Sequence, residues 1–301
     1  MRVTIALLLT IFGWSSAFIF IRLGLESYSA EVITCGRYLV AGLVSAVIYA
    51  YLPHKINLSI SNRLKAMLCG ALGMGLYSYA VGKGEVTVPA SITGFIVGLM
   101  PLCASILASF LYKERLSRRL LMGISISLMG LFIIAFSGHD EVSFGRGLLW
   151  ILLSTVCATA YTLIQKPLII KMPASVFICH ALWGGAITSF VIYLMSSSCF
   201  SAQFHTAKLS ATLSILYQAL VPSIISFFGW SYALSKINIA KASIALYTMP
   251  LITAFLAFLI LQEKPTPFAL AGMFLAFGGS LLGSIKLPLK IKKSIKVTTL
   301  Q

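Results

Sequence analysis

The sequence predicts an all-α membrane protein with ten transmembrane helices in two inverted five-helix repeats. Three observations predict it. The 301 residues are 59% hydrophobic and only 10% charged, with a mean hydropathy of +0.97; soluble domains carry about 25% charged residues. Ten apolar stretches, each near the 20 or so residues a helix needs to cross a bilayer, follow one another with little chain between them. A pattern of Pro, Glu and Gly in the first half returns at one fixed distance in the second.

So few charges cannot coat a soluble protein of this size. The apolar stretches cover residues 3–23, 32–52, 66–83, 90–112, 119–137, 147–166, 175–197, 212–235, 240–261 and 267–285. The longest polar pieces are 137–146, 197–210 and the tail after 286, which leaves little chain for a soluble domain. Arg2 followed by Val3 to Phe12 has the layout of a signal peptide. The repeat described below needs this first helix as the partner of the sixth, so it is read as a span.

The net charge of +16 raises nucleic acid as a partner. Its distribution argues for a membrane instead. With the N-terminus inside, 17 of the 23 basic residues fall on the inner side, opposed there by one acid, Glu114. The other six, Arg22, Arg37, Lys83, Arg146, Lys208 and Lys264, are matched by Glu26, Glu31, Glu85, Asp140, Glu141 and Glu263. Positive charge held on the cytoplasmic side fixes the orientation of a polytopic chain, so both termini are expected inside. The basic tail, Lys286 to Lys296, is expected to lie against anionic lipid headgroups. Cys35, Cys69, Cys103, Cys157 and Cys179 fall inside spans as small apolar residues, Cys199 stands near the outer end of the seventh, and no Cys/His spacing makes a metal site. The chain is expected to need no cofactor, and no sequence feature sets an oligomeric state.

The repeat carries the organisation. Met100-Pro101-Leu102 matches Met249-Pro250-Leu251, Glu114 matches Glu263, Gly123 matches Gly272 and Gly130 matches Gly279, each pair 149 residues apart (250 − 101 = 149). Towards the front, Ala30 and Val32 match Ala174 and Val176 at a separation of 144. The first repeat is placed at 1–139, the second at 146–285 and the tail at 286–301. Five spans is an odd number, so the second copy enters the membrane from the opposite side. Inverted repeats of this kind are a transporter architecture: one fold in two orientations has two nearly equal arrangements, one open to each side.

Gly13-Trp14-Ser15-Ser16-Ala17-Phe18, Arg37, the stretch Ala90 to Glu114 with Pro101, and the matching Ala240 to Glu263 resemble the EamA-like ten-helix members of the drug/metabolite transporter superfamily over essentially the whole chain. The resemblance implies a central cavity lined mainly by spans one, three, four, six, eight and nine. It implies transport of amino acids or similar small metabolites, often as export. It leaves the substrate open.

The residues expected to carry transport lie in the same spans. Proline removes its own N–H and frees the carbonyl four residues earlier; Pro101 and Pro250 free those of Val97 and Leu246 and are read as gating kinks in the middle of spans four and nine. Trp14, Ser15, Tyr77, Tyr79, Thr93, Tyr161, Gln165, Ser226, Trp230 and Tyr247 form the candidate substrate cavity, an aromatic wall with a few hydroxyls suited to a mid-sized zwitterion. Gly94/Gly98, Gly279/Gly283, Gly73, Gly75, Gly184 and Gly185 are read as close-packing positions. Arg37, about 8 Å below the outer end of span two at 1.5 Å per residue, is expected to snorkel outward or to pair with Glu26 or Glu31. Lys83 and Glu85 are read as a surface pair, and Glu114 and Glu263 as ties for neighbouring loops. His180 is the one histidine well inside a span and is read as a packing residue.

No carboxylate is expected at mid-membrane, which favours facilitated diffusion or exchange over ion coupling. A nucleotide-linked, phosphorylated or sulfonium cargo on the same fold is the alternative, though phosphate would call for cations deep in the spans. An intramembrane enzyme would need paired catalytic residues at depth, and the sequence shows none. The small size points to a bacterial inner membrane.

Overall fold

Among the described residues of the computed structural model every regular element is a helix. Those residues are 2–52, 59–100, 102–103, 106–107, 118–137, 142–198, 200–236, 246 and 248–284. Helix α1 runs Arg2–Leu25 and α2 Ala30–Ala50, the latter started by Ser29, whose hydroxyl accepts the Val32 N–H. The third span is α3 Ile60–Gly70 and α4 Tyr77–Glu85, joined without a break by a π-helical segment, Ala71–Leu76. Next come α5 Ala90–Val97, α6 Arg118–Ser137, α7 Val142–Lys171 and α8 Ala174–Met195. A short helix, α9 Phe200–Thr206, lies in the polar piece between spans seven and eight. The eighth span repeats the plan of the third: α10 Leu209–Gln218, a π segment Ala219–Ile225, and α11 Ser226–Lys236. Helices α12 Met249–Leu261 and α13 Pro267–Ser284 complete the described bundle.

Six of these, Val3–Leu25, Ala30–Ala50, Ile60–Glu85, Gly145–Ile169, Ala174–Met195 and Leu209–Lys236, are long and apolar enough to cross a membrane. Three shorter apolar stretches accompany them, in α6, α12 and α13. Pro101, Glu114, Tyr247 and the basic tail lie outside the described residues.

The bundle is inside-out relative to a soluble protein. Large apolar side chains such as Leu43, Phe132 and Phe255 stand outward, where lipid tails would meet them. Ser, Thr and Gln side chains on many helices are buried within. Hydrocarbon offers backbone and hydroxyl groups no partner, so polar groups satisfy one another internally.

Two helix pairs make close antiparallel crossings. Gly130 of α6 meets the backbone of Gly272 and Ala276 in α13, while Gly279 of α13 meets Gly123 and Ser127 in α6. The Ser127 hydroxyl donates to the Ala276 carbonyl at 2.9 Å. The contacts are reciprocal: 123 and 130 are 149 residues before 272 and 279, and Ser127 meets its own counterpart, Ala276 (276 − 127 = 149). Between α2 and α8 the same happens at the other separation, Gly42 facing Ala186 (186 − 42 = 144). Glycine permits this approach because any Cβ would run into the facing helix.

Pro250 occupies the first turn of α12, after the N-cap Thr248. Leu246, whose carbonyl a proline at 250 leaves without that donor, is itself helical, and Tyr247 between them lies outside the described residues. The proline ring packs on Gly98, where a Cβ would collide with it.

Candidate functional site

One cavity runs between the helices. Trp14, Phe18 and Ile21 line it from α1, at the i, i+4, i+7 spacing of one helix face. Tyr77 enters from α4, Tyr161 and Thr162 from α7, and Phe227 and Trp230 from α11. Gly94, Val97 and Met100 close one wall from α5 and the residues beyond it, together with Leu246 and Met249. Gly73, in the first π segment, lines it with bare backbone; a Cβ there would strike the Tyr161 ring. Arg37 reaches in from α2.

The floor is an aromatic cluster. Trp14 meets Phe227 edge-on at 5.2 Å between ring centres and Trp230 at 5.6 Å, and Tyr161 meets Phe227 at 5.8 Å. The second π segment holds this cluster in place. Pro222 lacks an N–H, so the Gln218 carbonyl four residues earlier loses its α-helical partner. Within the π segment the Ser223 hydroxyl donates to the Gln218 carbonyl at 2.9 Å, and the Ser226 hydroxyl donates at 3.0 Å to the Val221 carbonyl, which also accepts the Ser226 backbone N–H. The Pro222 carbonyl, turned out of the ladder, accepts the Trp14 indole N–H at 3.2 Å. The packing of α1 against α11 therefore depends on a distorted turn.

The sequence-derived residues divide into two groups. Trp14, Tyr77, Tyr161 and Trp230 come together on the cavity. Ser15, Tyr79, Thr93, Gln165 and Ser226 are absent from its lining. Ser15 donates to the Met249 carbonyl, Thr93 to the Pro89 carbonyl, Gln165 to the Ser231 hydroxyl and Ser226 within its own helix. Ser15 and Gln165 thus tie one helix to another, while the Thr93 and Ser226 hydroxyls are spent on carbonyls four and five residues earlier in their own segments. Tyr79 is two residues from Tyr77, about 200° round the helix, and lies against Trp150 at 5.6 Å.

Arg37 corrects the expectation of snorkelling. It is 2% exposed and bonds neither Glu26 nor Glu31. Its Nε donates to Ser223 at 2.8 Å and its Nη1 to Ser78 at 3.1 Å. Glu31 pairs with Lys83 at 2.5 Å and Glu26 with Lys208 at 2.6 Å. Glu85 is not on the surface but wholly buried, and its carboxylate oxygens have no hydrogen-bond partner among the described residues. Arg22 binds the carbonyls of Glu85 and Val86. Glu263 caps α5, accepting the N–H groups of Ala90 and Ser91 at 2.9 and 3.0 Å and the Ser91 hydroxyl at 2.7 Å. His180 is buried between Tyr49 and Trp183, its Nδ1 2.9 Å from the Val176 carbonyl, away from the cavity. No group able to hold a metal ion occurs among the described residues.

The EamA-like transporter family model matches residues 1–136 and again 145–285. The chain is 31% identical over 280 residues to a protein of Streptantibioticus cattleyicolor named a probable terminal-alkyne amino-acid exporter, covering 92% of this chain and 91% of that one. It is 31% identical over 266 residues to the uncharacterized transporter YdfC of Bacillus subtilis, covering 88% and 85%. A crystal structure 16% identical in sequence superposes with a TM-score of 0.63 over 94% of this chain and 96% of that chain, a likeness of fold.

Proposed function

The chain belongs to the EamA-like transporter family and is a membrane transporter of small metabolites, and from that premise we propose that it exports amino acids or close derivatives by alternating access through the cavity. The observation that carries the reading is the cavity itself. It gathers side chains from α1, α2, α4, α5, α7, α11 and α12 onto an aromatic floor, a surface that takes an apolar side chain of modest size. The relative named a probable amino-acid exporter points to the same cargo class. A sulfonium cargo is disfavoured, since the one ionised side chain among the lining residues is the cation Arg37. A nucleotide would meet too few cations there.

The same reading gives ten spans in two inverted five-helix repeats, 1–139 and 146–285, in a bacterial inner membrane with both termini inside. The reciprocal antiparallel crossings of α6 with α13 and α2 with α8 support it, because a two-fold axis in the membrane plane brings equivalent residues together. Carrying cargo through unchanged requires no catalytic group, and the protein is read as having no enzymatic activity.

The test is counterflow in proteoliposomes holding the full chain, with panels of labelled amino acids and nucleosides. Amino-acid exchange without an ion gradient is expected, and Trp230→Ala should slow it at unchanged protein abundance. Movement of nucleosides with no movement of any amino acid would overturn the cargo class.

A further inference from the structure

We propose that Arg37 is the anchor for the carboxylate of the cargo, with the aromatic floor of the same cavity receiving its apolar side chain. The proposal rests on the amino-acid reading above and deepens it by assigning the two ends of the site.

The guanidinium is almost wholly buried, yet among the described residues it touches only neutral groups. Its neighbours are the hydroxyls of Ser223 and Ser78 and the ring of Tyr38, whose centre lies 5.0 Å from the guanidinium carbon. A guanidinium has five N–H donors in a planar fork. Two are used, one by each hydroxyl. The described carboxylates are occupied or directed elsewhere. Glu31 is held by Lys83, Glu26 by Lys208, and Glu263 by the start of α5. Glu85 makes no hydrogen bond with Arg37, and its carboxylate oxygens have no hydrogen-bond partner among the described residues. No acidic side chain lines the cavity. A buried charge without a counter-ion is costly and, in a membrane protein, marks a path or a ligand. A bidentate carboxylate is the ligand that fits a guanidinium fork.

The fork is also held in orientation. Ser223 gives its own proton to the Gln218 carbonyl, so its oxygen is left to accept from Arg37. This hydroxyl sits inside the second π segment, one turn from Phe227 and two from Trp230. At 1.5 Å per residue, the guanidinium level and the two rings are about 6 and 10 Å apart along the helix. The cavity thus has a cationic end and an aromatic end, spaced like the carboxylate and side chain of an apolar amino acid. The centre of a water molecule can move through about 90 Å³ of it.

The test uses the full chain, free of native cysteines, with Ala158→Cys as a reporter on the cavity wall. Two methanethiosulfonate reagents are compared, one carrying a sulfonate and one a trimethylammonium group. The anionic reagent should be favoured, and Arg37→Gln should lower the ratio of the two rates at least tenfold. Protection of the cysteine by L-phenylalanine and by L-phenylalaninamide is then measured. In the parent protein the amide should need at least tenfold higher concentration, and in Arg37→Gln the two should become nearly equal.

An unchanged reagent ratio in a folded Arg37→Gln protein overturns the anchor. So does equal protection by acid and amide in the parent protein, a measurement that needs no variant at Arg37. If the reagent ratio falls as expected but no amino acid protects or moves, the anion site stands and the amino-acid cargo falls. If Arg37→Gln still moves amino acids and still prefers acid over amide, transport stands and the anchor falls.

Discussion

At the scale of the residue, the charged side chains near the helix ends do different work from one another. Glu263 satisfies two backbone donors and a hydroxyl at the start of α5, where the helix dipole also favours a negative charge. Glu263→Ala should therefore destabilise the protein by about 1–2 kcal/mol, read as a lower melting temperature in detergent. A value indistinguishable from the parent would mean the cap is replaced by water. The Lys83–Glu31 pair is shorter and better buried on its acidic side than Lys208–Glu26. A double-mutant cycle on Lys83→Ala and Glu31→Ala should give a coupling of about 1 kcal/mol, at the upper end for a partly exposed pair. The cycle on Lys208 and Glu26 should give less. Equal couplings would show that burial of Glu31 adds nothing.

At the scale of the element, the π segments are the least regular parts of the bundle and border the cavity directly. Each inserts extra backbone into a span that also carries cavity residues, Tyr77 just after the first and Phe227 and Trp230 just after the second. Pro222→Ala would return an N–H to the second segment, and alanine is about 3 kcal/mol more favourable than proline within a helix. Annealing to a regular α-helix would turn α11 by about 100° for each residue absorbed, carrying Trp230 away from Trp14. The variant should be as abundant as the parent, transport more slowly per molecule, and show altered tryptophan emission. Full transport with unchanged emission would separate the π segment from function. The crossing of α6 and α13 is a second element-scale feature. Gly130→Val would push a side chain into the backbone of Gly272 and Ala276. Overpacking of this kind costs about 1–3 kcal/mol, expected as reduced thermal stability. A stable variant would show that the helices part easily.

At the scale of the whole molecule, the property to test is the proposed inversion of the two halves. In a background without native cysteines, Ser117→Cys and Gln262→Cys should be labelled by a membrane-impermeant thiol reagent from opposite faces. The 262 position should react from outside intact cells and the 117 position only in inverted vesicles. Labelling of 117 from outside would defeat the inverted arrangement and the orientation with both termini inside.

The sequence by itself determined the helical membrane class and the family, because these depend on properties that are local or additive. Length and apolarity make a span, and a Pro, Glu and Gly register at a fixed separation marks two copies. Only the tertiary structure decided which faces meet. Membrane helices such as α1 and α8 are apolar almost all round, so their periodicity does not separate a lipid-facing side from a cavity-facing one. Tyr77 and Tyr79 look equivalent in sequence, yet one lines the cavity and the other packs on Trp150. Ser15, Thr93 and Gln165 look like ligand contacts but are bound to nearby protein groups, since hydrocarbon offers no other partner. Arg37, close to the outer end of α2, has two acids within apparent reach. Packing gave Glu31 to Lys83 and Glu26 to Lys208, and turned the guanidinium inward to two serines on distant spans. That choice of partner is a competition among groups far apart in the chain, which no local reading of the sequence could settle.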